Sequence, residues 1–132
     1  MQGISVPQTL IFLLLLAFAS AAGAGSSQMG SDLYRQYCSV CHGQYGTGDG
    51  PVADALRVKP PDLTQLGRKY KGKFPELRIM NVIRGEDDIT SHGNRQMPIW
   101  GRIFRDDTGG RPEVVQMRIY AILKYIEDIQ LK

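Results

Sequence analysis

The stretch Cys38-Ser39-Val40-Cys41-His42 decides what this chain folds around. Its C-x-x-C-H spacing is the sequence signature of covalent c-type haem attachment. On one helical turn, the two thiols can each add across a haem vinyl group, and the adjacent imidazole of His42 then points at the iron. We therefore expect one haem c, bound covalently through Cys38 and Cys41, with His42 as an axial ligand of the iron.

Three other interpretations of the two cysteines fit the sequence less well. A disulfide between them would close a loop of only two residues, which suits ordinary disulfide geometry poorly. A thioredoxin-like redox pair would need a preceding strand and a βαβ pattern, whereas residues 26–37 have the pattern of loop and helix. A zinc site would need Cys38, Cys41, His42 and His92, but Cys41 and His42 are neighbours whose side chains diverge.

The N-terminal part of the chain has the composition of a secretory signal. Residues 10–19 are almost wholly apolar, small residues continue to Gly25, and the first charged residue is Asp32. An apolar run of about ten to fifteen residues is short for a bilayer span of roughly twenty. We expect residues 1–24 to be a signal peptide, cleaved after Ala21 or Ala24 or retained as an anchor, and residues 25–132 to form one exported, periplasmic domain.

An all-α fold is predicted, because no segment alternates apolar and polar residues for any length. Ser31 is a candidate N-cap for the helix that carries the haem motif, and Asp62 or Thr64 could cap a later one. Glycines 43, 46, 48 and 50 suit positive-φ turns and close approach of backbone to a flat ligand. We expect helices over residues 32–40, 52–58, 65–70, 75–84 and 112–130, with a loop at 86–110.

This long loop supplies the candidate second axial ligand, Met97, beside Pro98. A thioether is a soft, weak ligand that suits haem iron opposite a histidine, and this pair raises the reduction potential. The other methionines lie near the N-terminus or on predicted helical faces. His92, in the same loop, is the rival ligand.

Taken together, these segments resemble a bacterial class I cytochrome c with one haem. The resemblance covers about residues 30–129 and rests on four segments: Leu33-Tyr34 before the haem motif and Gly43, Gly-x-Gly-Asp-Gly-Pro at 46–51, Pro-Pro-Asp-Leu-Thr at 60–64, and Met97-Pro98-x-Trp100-Gly101. It implies a cytochrome c fold of about four to five helices around the haem, with crossing N- and C-terminal helices that place Gly30 and Tyr34 against Ile122 and Tyr125. It also implies that the carbonyl of Pro60 or Pro61 accepts the Nδ1 proton of His42.

Charge is unevenly distributed along the chain, whose net charge is +3. Residues 57–84 hold eight basic residues against two acidic ones, a local net charge of +6. Such asymmetry can steer an acidic redox partner to the exposed haem edge, and a solvated surface without a partner is the alternative. Nucleic acid is not expected as a partner, because the compartment is wrong and the basic run lacks interleaved aromatic residues. Membrane contact would come only through an uncleaved signal or a membrane complex.

The resemblance implies electron transfer rather than catalysis, either as a soluble carrier or as a relay subunit of a respiratory or dehydrogenase complex. The alternatives are a small peroxidase-like haem enzyme and a gas-binding haem protein. Both need a displaceable sixth ligand, and the enzyme also needs a distal acid or base, for which His92 is the available histidine. Met97 as a ligand argues against both.

Overall fold

A computed structural model of the chain describes residues 22–86 and 97–131, with side chains from residue 27 onward. The described residues contain six α-helices and no strand, which confirms the all-α prediction. The helices are α1 (Ala22–Tyr37), α2 (Ser39–His42), α3 (Leu66–Lys69), α4 (Glu76–Arg84), α5 (Trp100–Asp107) and α6 (Pro112–Asp128), and short 3₁₀ turns cover Ala53–Ala55 and Leu63–Gln65.

Helices α1 and α6 make the most extensive contact among the described helices. At their crossing, a Cβ atom on Gly30 would lie only 2.3 Å from the carbonyl oxygen of Ala121 and 3.1 Å from Cβ of Tyr125. The side chain of Tyr34 is fully buried, and its ring centroid lies 4.8 Å from that of Tyr125. The predicted crossing of the terminal helices is therefore confirmed, with glycine allowing the two backbones to approach.

The core lies between these two helices and the helices α4 and α5. Apolar residues recur along α6 at helical spacing, so one side of this helix faces inward along its length. The largest side chains that are fully buried are Tyr34, Phe104, Ile119, Ile122 and Leu123. An enclosed apolar ligand would add to the interior of a chain of this size and so contribute to its stability.

Several helix boundaries differ from the prediction. Helix α1 covers Ala22–Tyr37, so Ser31 is not an N-cap but lies inside the helix, with its hydroxyl donating to the carbonyl of Gln28. The helix also breaks at Cys38, before α2. The predicted helix at 52–58 is only the 3₁₀ turn Ala53–Ala55, while Asp62 caps the next turn as expected by accepting from the N–H of Thr64.

A larger difference concerns the predicted loop at 86–110, which contains α5. Within this helix, Phe104 is fully buried and packs edge-on against Tyr37 at 5.1 Å between ring centroids. In α4, the apolar side chain of Leu77 is 77% exposed, although Ile79 and Ile83 of the same helix are buried. In both α5 and α4, therefore, the tertiary structure and not the local sequence decides which apolar side chains are buried.

In the part of the chain that the structure describes, no helix has the length and apolar character needed to cross a bilayer. The predicted signal peptide lies outside the described residues except for its end at 22–24. His92 and the acidic, glycine-containing segment around it also lie outside them.

Candidate haem-attachment site

The Cys-x-x-Cys-His motif occupies the junction of α1 and α2. The N–H of Cys38 donates to the carbonyl of Tyr34 at 2.8 Å, and the N–H of His42 donates to the carbonyl of Cys38 at 2.9 Å. Gly43 then ends the helix with a φ of 82°, a left-handed value that favours glycine. The two thiols and the imidazole are thus presented from adjoining helical turns, as covalent attachment of haem requires.

Both cysteines are free thiols in this structure, and Cys38 is buried while Cys41 is partly exposed. Burial, with a smaller contribution from Cys41, raises the pKa of the Cys38 thiol to about 12. Redox-active C-x-x-C pairs instead lower the pKa of one thiol with nearby positive charge or a helix N-terminus. These surroundings therefore do not favour the thioredoxin-like interpretation.

The imidazole of His42 is buried, and its Nδ1 lies 3.4 Å from the carbonyl oxygen of Pro61. The tautomer that donates from Nδ1 leaves the lone pair of Nε2 available for iron. Burial lowers the pKa of His42, and the Pro61 carbonyl partly opposes this. The ring is thereby kept neutral, which is the form that binds a metal.

Of the two prolines predicted near this histidine, Pro61 makes the contact and Pro60 has another role. A Cβ atom on Gly48 would lie 2.4 Å from the carbonyl oxygen of Pro60. The N–H of Gly48 also donates to the carbonyl of His42 at 2.8 Å. The glycine loop is therefore packed between the haem motif and the proline segment.

The backbone conformation of the glycine loop can be compared with the prediction position by position. Gly43, Gly46 and Gly48 do adopt positive φ, as predicted. Gly50 does not adopt a positive φ, but a Cβ atom on it would lie 2.5 Å from the carbonyl oxygen of Cys41. These glycines therefore let the loop fold closely against the haem motif.

Met97 is partly buried and packs against the core cluster that includes Cys38 and Tyr34. It precedes α5 by three positions, with Ile99 as the N-cap of that helix. Met97 therefore lies at the edge of the core, just before α5. Its role as an iron ligand stays a prediction, and the rival His92 lies outside the described residues.

The donor set fits covalently attached haem better than a directly bound metal ion. Within residues 22–86 and 97–131, no group of three or more His, Cys, Asp or Glu side chains is arranged to hold a metal. The zinc interpretation therefore has no support in this part of the chain. Two thiols one turn apart and a buried neutral imidazole oriented by a carbonyl are what haem c requires.

Sequence reasoning missed one structural feature beside Met97, the aromatic cluster of Tyr37, Trp100 and Phe104. The ring centroids of Tyr37 and Trp100 are 5.4 Å apart, and those of Trp100 and Phe104 are 5.8 Å apart. The signal was the spacing of Trp100, Ile103 and Phe104, which suits a helix. The cluster links the segment after Met97 to the helix that leads into Cys38.

Comparison with known protein families identifies a match. The family model described as Cytochrome c matches residues 27–128, a range that includes the two cysteines, His42, Pro61 and Met97. Searches of curated proteins and of solved structures gave no match.

Proposed function

Because the match covers most of its length, the chain belongs to the cytochrome c family, and we propose that it is a mono-haem electron carrier with His42 and Met97 as axial ligands. Membership of the family implies covalently bound haem and electron transfer. When bound, the haem supplies a one-electron Fe(III)/Fe(II) couple. No substrate is transformed in this proposal.

The observation that carries the proposal is the geometry of the haem motif. Cys38 and Cys41 hold the two attachment points on one turn, and the carbonyl of Pro61 orients the ring of His42 at 3.4 Å from Nδ1. Burial limits the access of water to the imidazole ring of His42 and keeps the ring neutral. With Met97 as the second axial ligand, both axial positions would be filled, so little would have to rearrange when the charge changes by one.

We place this protein in the periplasm or an equivalent compartment, as a free carrier or as a relay subunit of a respiratory or dehydrogenase complex. The apolar segment at residues 10–19 supports export. A c-type haem motif in the same chain is consistent with that location.

For the redox partner, we propose docking beside the haem motif on the basic surface formed by residues 57–84. Arg57 and Lys59 are exposed and flank Val58, which is 62% exposed, shortly before Pro61, whose carbonyl faces the imidazole of His42. Arg84, in contrast, donates to the side chain of Gln116 and lies 3.8 Å from the carboxylate of Glu86. Arg84 is also only partly exposed, so we leave it out of the docking surface and keep the seven basic residues of the segment that are exposed.

The proposal is tested first by mass spectrometry of the exported protein and of the variants Cys38→Ala and Cys41→Ala. The unsubstituted chain should carry the added mass of one haem, whereas each variant should lose normal double attachment and accumulate poorly, because the small core depends on the ligand. As a control, Ser39→Ala changes a partly exposed side chain between the two cysteines and should keep the haem. A mature wild-type chain without added haem mass would overturn the proposal.

A further inference from the structure

We propose that the C-terminal end of α4 is a positioning element for Met97, acting through two close glycine contacts with the start of α5. We call Arg84, Gly85, Ile99 and Gly101 the α4–α5 clasp. This inference rests on the proposed ligation by Met97 and adds the device that holds this ligand in place.

The first contact of the clasp lies at Gly85, which ends α4 in the left-handed conformation with a φ of 85°. The N–H groups of Gly85 and Glu86 both donate to the carbonyl of Asn81 at 2.9 Å, so the helix end is closed by its own hydrogen bonds. A Cβ atom on Gly85 would lie 2.6 Å from Cγ2 of Ile99. The side chain of Ile99 is therefore seated directly on the backbone of Gly85.

The second contact lies at Gly101, in the first turn of α5. A Cβ atom here would lie 2.7 Å from the carbonyl oxygen of Arg84 and 3.2 Å from its Cα. Both of these are backbone atoms, so the neighbour cannot yield by a side-chain rotation. Gly101 is buried and its φ is not positive, which means that the close approach, and not an unusual conformation, requires glycine.

Met97 is coupled to the clasp by a short and stiff piece of chain. Only Pro98, whose ring fixes φ, separates Met97 from Ile99. Ile99 is held in turn by the hydrogen bonds that its carbonyl accepts from the N–H groups of Arg102 and Ile103, at 3.1 and 3.2 Å. A shift of Ile99 away from α4 therefore carries Met97 with it.

The α4 side of the clasp is held by α6 and by the core, whereas Ile99 on the α5 side is 39% exposed. The guanidinium of Arg84 donates to the side chain of Gln116 on α6, and Ile83 beside it is buried in the core. Strain introduced at the clasp is therefore released by moving residues 99–101. This release moves Met97 away from its packed position, so the strain disfavours the iron-ligated state relative to the displaced one.

The test compares two contact variants with two control variants in the haem-loaded protein. Gly101→Ala is matched by Gly67→Ala, a helical glycine whose Cβ would have its nearest neighbour at 3.6 Å. Gly85→Ala is matched by Gly72→Ala, which has the similar φ of 84° but nothing within 4 Å of its Cβ. The second pair separates the effect of the contact from the strain of a positive φ.

We expect each contact variant to weaken the long-wavelength absorption band of Met-ligated ferric haem and to lower the reduction potential. Each should also bind imidazole about tenfold more tightly, equivalent to about 1.4 kcal/mol, because the competing Met97 is easier to displace. The two controls should keep the wild-type band, potential and imidazole affinity. Adding Ile99→Ala to Gly85→Ala removes the atom that collides most closely and should restore much of the band.

Equal imidazole affinity and equal band intensity in the contact and control variants would overturn the clasp and leave the Met97 assignment intact. Loss of the band in all four variants would also overturn it, because the effect would then come from replacing glycine at any position. A wild-type ferric protein without the band would overturn the Met97 assignment and the clasp together. If Gly101→Ala does not fold, the Gly85 pair and its rescue by Ile99→Ala decide the question.

Discussion

At the scale of single residues, the two proposed axial ligands are supported in different ways. His42 is fixed by its immediate surroundings. The thiols of Cys38 and Cys41 lie close to it in sequence, and the carbonyl of Pro61 faces its Nδ1. Met97 lies far along the chain and is positioned by packing against the core cluster. Because a thioether is also the weaker ligand, we expect the Met97 side of the iron to respond first to substitutions and to added ligands.

The substitution Met97→Ala should abolish the absorption band of Met-ligated ferric haem, lower the reduction potential and open the iron to small ligands. The axial ligand is a principal determinant of a range of potentials that spans about 0.8 V, so the change should be large. Optical spectroscopy and a redox titration measure both effects. Met117→Ala is the matched control, because that methionine is 49% exposed on α6 and should leave both unchanged.

The opposite result would assign the ligand to His92. If His92→Ala produces these changes and Met97→Ala does not, the proposed ligation is wrong. If neither variant changes the spectrum and small ligands bind the wild-type iron readily, the sixth position is displaceable, and the peroxidase-like or gas-binding alternatives become the better hypotheses.

Tyr34 allows a second prediction at this scale. Its side chain is fully buried, and its hydroxyl donates to the carbonyl of Gly43 at 2.8 Å, joining α1 to the end of the haem motif. The same carbonyl also accepts from the N–H of Gly46 at 3.3 Å, so it keeps one partner when the hydroxyl is removed. Tyr34→Phe should therefore lower the free energy of unfolding by about 0.5–1.5 kcal/mol near neutral pH, measured by denaturant titration.

The difference in the free energy of unfolding between the wild type and Tyr34→Phe should depend on pH in a defined direction. Burial raises the pKa of Tyr34 well above its ordinary value of 10.0, so above that pH the unfolded chain loses a proton that the folded chain retains. The wild type is then destabilised relative to Tyr34→Phe, and the difference between them should narrow as the pH rises above 10.0. Tyr45→Phe is the control, since Tyr45 is 71% exposed. A difference that widens with pH would contradict the burial of an un-ionised hydroxyl.

At the scale of the elements, the crossing of α1 and α6 depends on Gly30. A methyl group at this position would lie 2.3 Å from the backbone carbonyl oxygen of Ala121, so Gly30→Ala should force the two helices apart. Overpacking of this kind costs about 1–3 kcal/mol, and the better helix propensity of alanine recovers up to about 1 kcal/mol. We expect a net loss of stability, measured as a lower midpoint of thermal unfolding. Gly67→Ala is the control, because a methyl group has room at that position.

Unchanged stability in Gly30→Ala would mean that the two helices can separate slightly at no cost. In that case the tyrosine pair Tyr34 and Tyr125, whose centroids are 4.8 Å apart, would be the more important part of the crossing.

The elements that were predictable are those with a local signal. The haem motif is recognised by the spacing of its residues, and α6 by apolar residues that recur at helical spacing after a proline. The end of α4 is marked by Gly85, which adopts a left-handed φ. The fold around these elements was predicted from the resemblance to cytochromes c, and the observed crossing of α1 with α6 agrees with that prediction.

The elements that were missed lack such a signal or depend on the tertiary structure. The first half of α1 is rich in glycine, alanine and serine, so it has no apolar period to mark a helix. The eight-residue α5 lies after a proline in a polar segment, and its burial of Phe104 depends on Tyr37, which is distant in sequence. The clasp could not be predicted either, because two glycines acquire that role only when α4 and α5 meet.

At the scale of the whole molecule, the charge distribution bears on how a partner is recognised. Seven of the eight basic residues between positions 57 and 84 are exposed, while Arg84 is half-buried and paired. The segment divides into a pair beside the haem motif, Arg57 and Lys59, and a group at the end of α3 and just after it, Lys69, Lys71 and Lys73. Attraction at long range depends on all of them, whereas contact in the docked complex depends on those nearest the motif.

This division leads to the last prediction. Reversing Lys69, Lys71 and Lys73 to Glu should slow electron transfer with an acidic partner and flatten its dependence on salt, because exposed charges act over a Debye length of roughly 8–10 Å. Reversing Arg57 and Lys59 should slow electron transfer more for each charge changed than reversing the three lysines does. The reason is that these two residues lie just before Pro60 and Pro61, and the carbonyl of Pro61 faces His42. The absorption spectrum should stay as in the wild type.

Stopped-flow rates measured against ionic strength decide between this prediction and a surface without a partner. The control variant, Arg105→Glu with Arg111→Glu, changes the net charge as much as the Arg57 and Lys59 pair does, at exposed positions on and just after α5. If the control slows the reaction as much as the Arg57 and Lys59 pair, only the net charge matters. If all variants keep the wild-type slope, the basic segment is a solvated surface and the partner docks elsewhere. A larger effect for Arg57 and Lys59 than for the control, at equal change of charge, would place the docking site beside the haem motif.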